Sequence, residues 1–318
     1  MTPGPARYVR VLRRIAQNVL SGEAIYPLYA SLKVTHACGL SCPFCDLPNG
    51  PRCAEVDTAA MKTIVDKLVR SSTLVLCLEG GEPFLRDDLE ELLEHAAARD
   101  VLVSMVTAYP DRCECLRPRV GRFVDFLQIS IDQGHGNLHL LDELEEIRNS
   151  WPGRVGVQSV VGRDELEMLE GLVLRVRDAG CKLVLMPAVD LPLAAGLSPA
   201  RAEFSEKVRC LKRRYPRTVA TSYSFLKAYE GRRTCSTASI IVDPDGSVFY
   251  PCRVLGRKRI NLLEDDLDHF LVSPRAFELR EKARRCSRRC GWYQYHAVCL
   301  HAAGELFADL HGVLERIF

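Results

Sequence analysis

Ser31-Leu-Lys-Val-Thr-His-Ala-Cys38-Gly-Leu-Ser-Cys42-Pro-Phe-Cys45 carries three thiols at Cys-x3-Cys-x2-Cys spacing, directly after a short apolar run. A zinc site closed by protein ligands needs four donors, and a disulfide framework needs an even number of cysteines in a secreted chain. Three clustered thiols suit a loop that covers one face of a 4Fe-4S cluster and leaves the fourth iron without a protein ligand. Taken alone, the triplet is also compatible with a structural metal site or with buried thiols at a chance spacing.

The triplet, with Phe44 directly before its last cysteine, resembles the cluster-binding motif of the radical S-adenosylmethionine (SAM) superfamily. In that family the open iron chelates the amino and carboxylate groups of SAM, and an electron passed through the cluster yields methionine and a 5′-deoxyadenosyl radical. The resemblance implies that Cys38, Cys42 and Cys45 hold a catalytic 4Fe-4S cluster, with Phe44 at the SAM site. It also implies a reductant of the flavodoxin or ferredoxin type.

A second motif, Gly80-Gly81-Glu82-Pro83, follows a predicted strand and leads into a predicted helix. Paired glycines let the backbone approach a ligand closely, and these two fall at the C-terminal end of a strand, where barrel enzymes place their sites. A Gly-Gly pair by itself is more often only a turn. This one resembles the GGEP motif of the same superfamily, which implies that these residues hold the methionyl amino group of SAM and that Glu82 adds charge.

Further resemblances to the family follow in chain order. Ser130 and Asp132 end the fourth predicted strand, Gln158 lies in the fifth, and Pro187 ends the sixth. The family pattern implies that these four residues contribute to SAM binding, with Pro187 near the adenine. For the three polar residues, the equal alternative is a strand-end side chain that hydrogen-bonds to the backbone.

Six segments rich in Val, Leu and Ile alternate with segments of helical periodicity between residues 26 and 190. Continuous apolar runs indicate strands buried on both faces, and repeated strand–helix units form a parallel sheet with right-handed crossovers. We therefore predict an α/β fold in which residues 26–190 form a partial (β/α)6 TIM-like barrel. The predicted strands are 28–34, 74–78, 101–106, 126–131, 155–161 and 181–186, and the predicted helices are 58–70, 87–98, 138–149 and 164–179.

Residues 1–25 contain a predicted amphipathic helix at 8–20, accompanied by four arginines and by no acidic residue before Glu23. Such a helix can make a peripheral contact with an anionic membrane surface. A short helix without Trp or Phe anchors more simply closes one end of the barrel, with its arginines in water. Residues 191–234 are predicted to form a bridge, punctuated by prolines, with a basic helix at about 202–214.

Cysteines return in residues 235–318. The Asp245-Gly246 turn between β-rich arms predicts a hairpin that can bring Cys235 and Cys252 together. This part of the chain resembles the cysteine-rich extensions called SPASM and Twitch, which hold auxiliary iron–sulfur clusters. The resemblance implies a small Twitch-like domain with one auxiliary 4Fe-4S cluster, for which a structural zinc site is the alternative. The implied ligands are Cys235, Cys252, Cys286 and Cys290, with Cys299 in reserve.

The bulk composition is that of an ordinary globular protein with an ample core: 318 residues, 47% hydrophobic and 26% charged. A formal net charge of +2 argues against a nucleic-acid partner. Fourteen cysteines are unusual, and no signal peptide or long apolar span directs them to an oxidising compartment. We therefore predict a cytoplasmic location and cysteines used for metal ligation.

Together these patterns predict a radical SAM oxidoreductase or transferase that abstracts hydrogen from a small-molecule, lipid or peptide substrate. The auxiliary cluster would accept an electron or bind the substrate. The arrangement also resembles the adenosyl-hopene synthase branch, which implies adenosyl transfer to a lipid or terpenoid as one alternative. Peptide maturation is another, although a first strand at residue 28 leaves little room for a leader-recognition domain. A non-catalytic iron–sulfur electron-transfer protein is the alternative outside enzymes.

Overall fold

The structure, a computed structural model, describes residues 5–47, 50, 53–108, 119–190, 196–231, 235–255, 258–288 and 290–297. Within these ranges, the strands are β1 (Tyr29–Thr35), β2 (Val75–Gly80), β3 (Leu102–Thr107), β4 (Phe126–Ser130), β5 (Arg154–Val161), β6 (Lys182–Pro187), β7 (Ser239–Val242), β8 (Ser247–Phe249) and β9 (Lys258–Asn261). They form one sheet in the order β6-β5-β4-β3-β2-β1-β7-β8-β9.

The helices of the described ranges surround this sheet. They are α1 (Pro5–Ser21), α2 (Thr58–Ser71), α3 (Leu89–Ala97), α4 (Leu140–Ser150), α5 (Leu169–Asp178), α6 (Arg201–Arg214), α7 (Tyr223–Tyr229), α8 (Leu267–Leu271), α9 (Pro274–Arg284) and α10 (Gln294–Ala297). The predicted helix at 164–179 is divided: a 3-10 segment, Arg163–Met168, precedes α5.

The predicted α/β fold is confirmed. Strands β1 to β6 pair in parallel, each with the next, and each lies within two residues of its predicted bounds. Leu32 and Val34 of β1 are fully buried in the same core as Met61 and Ile64 of α2. Because side chains alternate along a strand, Ser31, Lys33 and Thr35 face the opposite way, into the barrel interior. One face of the sheet therefore holds the core, and the other holds polar groups.

The C-terminal hairpin continues this sheet. β7 pairs in parallel with β1, with Tyr29 opposite Ser239 and Leu32 opposite Val242, and β8 and β9 follow it antiparallel. The Asp-Gly turn predicted for the hairpin lies between β7 and β8, and Gly246 has a φ of 81°. Cys235 and Cys252, which flank β7 and β8 in the chain, are thus placed near the edge of the barrel sheet.

Helix α1 packs against the barrel by a few specific contacts. Val11 is buried, and the Asn18 side chain both accepts from the Tyr26 amide and donates to the Tyr26 carbonyl, each at 2.9 Å. The Arg14 guanidinium lies 3.7 Å from the centre of the Tyr26 ring and 2.7 Å from an Asp268 oxygen. These contacts hold α1 on the segment that leads into β1 and on α8. None of the helices that the structure describes is long and apolar enough to cross a membrane.

Candidate active site

The first cysteine group occupies the loop after β1 and consists of Cys38, Cys42 and Cys45. Cys42 is buried and the other two are half-buried. The Cys45 amide donates to the Cys42 carbonyl at 3.0 Å, which turns the chain so that the last two thiols belong to one tight bend. Burial raises the pKa of the Cys38 and Cys45 thiols, so that a bound cation is needed to hold them as thiolates.

The glycine pair after β2 supports this loop directly. The Gly81 amide donates to the Thr35 carbonyl and the Glu82 amide to the Ala37 carbonyl, both at 2.8 Å. A Cβ on Gly80 would lie 2.2 Å from the Thr35 oxygen, and a Cβ on Gly81 would lie 2.1 Å from the Ala37 oxygen. Only glycine permits this approach, because any Cβ would overlap the backbone that leads into Cys38.

Glu82 is almost fully buried, at 1% exposure, and its carboxylate joins the ends of two strands. It accepts hydrogen bonds from the Thr107 hydroxyl at 2.9 Å and from the Ala108 amide at 3.1 Å. It also accepts from the Phe84 amide, and Pro83 opens the short 3-10 segment that follows. In the structure Glu82 therefore fixes the β2 and β3 ends, and its predicted contact with SAM stays a prediction.

Glu55 is a site residue that sequence reasoning missed. One of its carboxylate oxygens accepts from both the Thr35 hydroxyl and the His36 amide, each at 2.7 Å. The Thr35 hydroxyl in turn accepts from the Ala37 amide at 2.9 Å. Glu55 thus closes the far end of the cysteine loop onto β1. No short motif links it to that strand, so spacing alone could not have identified it.

Phe44 packs against a loop that follows β4. Its ring lies 5.2 Å from the His135 ring, edge to face, and a Cβ on Gly134 would lie 2.2 Å from it. Asp132 holds this loop, because it accepts from the His135 amide and ring at 2.9 and 2.8 Å and from the Val160 amide at 2.9 Å. Burial alone would lower the pKa of His135, but Asp132 and the Cys42 thiol raise it to about 9. His135 is a second residue that the motifs did not reveal.

The remaining predicted SAM contacts also lie at this end of the sheet. The side-chain amide of Gln158 donates to the Ser130 hydroxyl at 2.9 Å. The backbone carbonyl of Ser130 accepts from the side-chain amide of Asn137 at 2.7 Å. Pro187 ends β6, and a Cβ on Gly291 would lie 3.3 Å from its ring. The structure thus brings β4, β5 and β6 residues to the same end as the cysteine loop. Their contacts with SAM stay predictions.

The second cysteine group comes from three separate segments and consists of Cys235, Cys252, Cys286 and Cys290. Burial, and after it the nearby thiols of the other three members, raise the pKa of the Cys235 thiol to about 12. Cys252 lies in a small apolar cluster with Ile241 and Tyr295. The structure therefore gathers the four predicted ligands in one place. The reserve candidate, Cys299, lies outside the described residues.

The donor sets of both cysteine groups consist of thiols. Among the residues that the structure describes, only His36, Cys53 and Asp243 offer three ligand atoms within 4.8 Å of one another. No three thiols of either cysteine group, as described, therefore lie within 4.8 Å of one another. Cysteine thiolates are the usual protein ligands of 4Fe-4S clusters and also bind structural zinc. Backbone amides also approach thiol sulfurs, at 3.4 Å for Cys38 and Cys286 and 3.3 Å for Cys252.

The group of His36, Cys53 and Asp243 is better described as part of an ion-pair cluster. Lys33 and Lys258 place their ammonium groups 3.7 and 3.3 Å from the Asp243 carboxylate. Two positive charges at that distance disfavour a metal cation at the same carboxylate.

Comparisons with known proteins agree with this geometry. Residues 32–187 match the family model described as the radical SAM superfamily. The PqqA peptide cyclase of Xanthomonas campestris pv. campestris is 36% identical over 84 residues, which cover 26% of this chain and 22% of that protein. The match thus spans about a fifth of the length of that curated relative.

Solved structures share the fold over most of the chain. Streptococcus suis SuiB bound to S-adenosylmethionine has a TM-score of 0.67 and 14% identity, covering 91% of this chain and 76% of SuiB. Native anSMEcpe with bound AdoMet and the Cp18Cys peptide has a TM-score of 0.64 and 15% identity, covering 92% of this chain and 98% of anSMEcpe. With a barrel of this fold, a matching family model over residues 32–187 and the cysteine triplet after β1, the chain carries a radical SAM domain.

Proposed function

We propose that this protein cleaves SAM reductively at a cluster held by the first cysteine group, and that the resulting radical abstracts hydrogen from a peptide substrate. The observation that carries the proposal is the contact between the glycine pair and the cysteine loop. It joins the two family motifs, because Gly80 and Gly81 lie against the backbone that leads into Cys38. An electron carrier without a SAM site would have no need for this arrangement.

The chain's own residues would hold and orient the cofactors. Cys38, Cys42 and Cys45 would bind three irons of a 4Fe-4S cluster and leave the fourth for SAM. When bound, that cluster supplies the electron that breaks the sulfonium bond of SAM. The hydrogen bonds of Glu82 and Glu55 would keep the strand ends and the cysteine loop in place while SAM binds. Phe44, Ser130, Asp132, Gln158 and Pro187 would line the same end of the barrel.

The second cysteine group would hold an auxiliary 4Fe-4S cluster. The closeness of the Cys235 thiol to those of Cys252, Cys286 and Cys290 supports this proposal. The cluster would accept an electron from the substrate radical or bind the substrate. Electron acceptance makes the net reaction an oxidation or a bond-forming cross-link. A flavodoxin or ferredoxin would supply the electron for SAM cleavage.

A peptide is the favoured substrate class because of what the related proteins are named for. PqqA peptide cyclase acts on a peptide by its name, and SuiB has been solved bound to precursor peptide SuiA. A second candidate is adenosyl transfer to a lipid. It is favoured by α1, where Val9, Leu12 and Leu20 are exposed beside arginines. An apolar, basic helix face suits a contact with an anionic membrane.

The test is metal analysis and SAM cleavage on protein purified and reconstituted without oxygen. We expect about eight irons per chain in the wild type and about four after replacement of the first cysteine group by alanine. Under dithionite and SAM, only the wild type should form 5′-deoxyadenosine. Zinc in the second group would restrict that region to a structural role. Two full clusters without deoxyadenosine would overturn the proposal in favour of an electron carrier.

A further inference from the structure

We propose that Asp46 and Arg253 form a positioning pair that fixes the two cysteine groups relative to each other and adjusts the reduction potentials of their clusters. The inference rests on the proposed function for the clusters themselves. Asp46 directly follows Cys45, and Arg253 directly follows Cys252. One ion pair therefore joins positions adjacent to a ligand of each group, although the two residues are 207 positions apart in the chain.

The geometry of the pair is specific. The Arg253 Nη2 atom donates to both oxygens of the Asp46 carboxylate, at 2.9 Å each. The Arg253 side chain is 13% exposed and that of Asp46 is 27% exposed, so solvent screens the pair only in part. Exposed ion pairs contribute little because water and side-chain entropy oppose them, whereas a restrained and partly buried pair retains more of its attraction.

Aromatic residues of the C-terminal region hold Arg253 in position. Its backbone amide donates to the Tyr295 hydroxyl at 3.0 Å, and Tyr295 is buried against Cys252. Its guanidinium lies 5.2 Å from the centre of the Phe249 ring and 5.8 Å from that of Trp292. Trp292 and Tyr295 follow Cys290 in the chain. Residues beside the second cysteine group thus hold Arg253 as a preorganised cation that reaches Asp46 beside the first group.

The charges of Asp46 and Arg253 shift the reduction potentials of the two clusters in opposite directions. Adding an electron to a cluster is easier near a positive charge and harder near a negative one, so net charge is one of the levers on the potential. Loss of the Arg253 guanidinium leaves the Asp46 carboxylate unbalanced beside Cys45. Loss of the Asp46 carboxylate leaves the guanidinium unbalanced beside Cys252. The two losses therefore shift the potentials in opposite directions.

The experiment compares Arg253→Gln, Asp46→Asn and the double variant by redox titration of the reconstituted protein, followed by electron paramagnetic resonance. Arg253→Gln should lower both midpoint potentials by about 59 mV. For a one-electron couple, this shift is a tenfold change in the ratio of reduced to oxidised cluster at a given potential. Asp46→Asn should raise both, and the double variant should return towards the wild type. Arg14→Gln is the matched control, because Arg14 also pairs with an aspartate and lies over an aromatic ring, yet contacts neither cysteine group.

Hydrogen–deuterium exchange on the full chain as purified tests the positioning role separately. Both single variants should raise exchange at least tenfold in residues 39–47 and 290–297, and Arg14→Gln should not. Unchanged exchange there would overturn the positioning role. Potential shifts of the same sign in both single variants, or no shift, would overturn the adjustment of potentials. Wild-type protein that assembles no clusters would contradict the proposed function, whereas the exchange result would still decide the positioning role.

Discussion

The two cysteine groups differ in how the chain assembles them. The first lies in one loop after β1, and its three thiols fall within the stretch from Cys38 to Cys45. The second is drawn from the hairpin region and from the segment after α9, between Cys235 and Cys290. A local loop closes at a small entropic cost, whereas distant segments must first be brought together by the surrounding fold.

This difference explains why the two groups depend on different parts of the protein. The position of the first group depends on the glycine pair, which packs against the loop backbone because β2 pairs with β1. The second needs β7 on the edge of β1 and the packing of Tyr295 against Cys252. A variant can therefore damage one group and leave the other intact.

The largest expected effect is the loss of SAM cleavage when the first cysteine group is disrupted. Cys42→Ala should abolish SAM cleavage, because a triplet reduced to two thiols cannot hold the cluster. Iron should fall by about four per chain, from about eight. The thermal unfolding temperature of the rest of the fold should stay close to that of the wild type. Deoxyadenosine formation by Cys42→Ala would contradict the assignment.

Cys286→Ala disrupts the second cysteine group and tests whether the first group works without it. Iron should again fall by about four per chain. Deoxyadenosine should still form under dithionite, because the first group and the glycine pair are unchanged. Iron analysis and a deoxyadenosine assay on the same sample provide the measurement. If cleavage is lost together with the second cluster, the two groups are not independent.

Gly81→Ala tests the support of the cysteine loop. The added methyl group would lie 2.1 Å from the Ala37 oxygen, so the loop must move. We expect SAM cleavage to fall about tenfold or more, equivalent to at least ~1.4 kcal/mol in the barrier. Gly171→Ala is the matched control, since the residue is helical and no atom beyond its chain neighbours and the nearby backbone of its own helix lies within 4 Å of the added methyl group. Equal activity of the two variants would contradict a role for Gly81 in placing the loop.

Asp243→Asn should have the smallest effect on SAM cleavage, because it acts on stability at the junction where β7 joins β1. Burial alone would raise the pKa of Asp243, but the His36 ring and the ammonium groups of Lys33 and Lys258 hold it at about 2. A carboxyl pKa lowered on folding adds stability above its unfolded value near 4, and that stability is lost as the pH falls towards 2. We expect the variant to be less stable by ~2 kcal/mol near neutral pH. Urea unfolding from pH 6 to pH 3 should show the difference shrinking, and a constant difference would contradict this explanation.

Much of the fold could be predicted from the pattern of apolar segments. The six barrel strands and the helices between them were located closely, because strands buried on both faces are apolar along their whole length. The attachment of β7 to β1 was not predicted, and neither was β9. Short strands carry weak periodic signals, and the partner of an edge strand is set by which backbone groups the fold leaves unpaired.

The candidate site shows the same division between local and distant residues. Cys38, Cys42, Cys45 and the glycine pair were predicted because their spacing within the chain is itself the motif. The contacts of Glu55 with β1, of His135 with Phe44 and of Asp46 with Arg253 were not, since each joins residues from separate segments of the chain. Glu82 was predicted as a charge for SAM, and its hydrogen bonds to the β3 end became visible only in the structure.

By itself, the sequence determined the barrel and showed which cysteines form the first group, because both depend on residues close together in the chain. Tertiary structure alone decided how the second group is gathered, which neighbour supports the cysteine loop, and that Arg253 reaches Asp46. The physical reason is that hydrogen bonds and ion pairs depend on distance in space. A chain of this length brings residues together in space by packing its strands and helices, and their separation in sequence does not specify that packing.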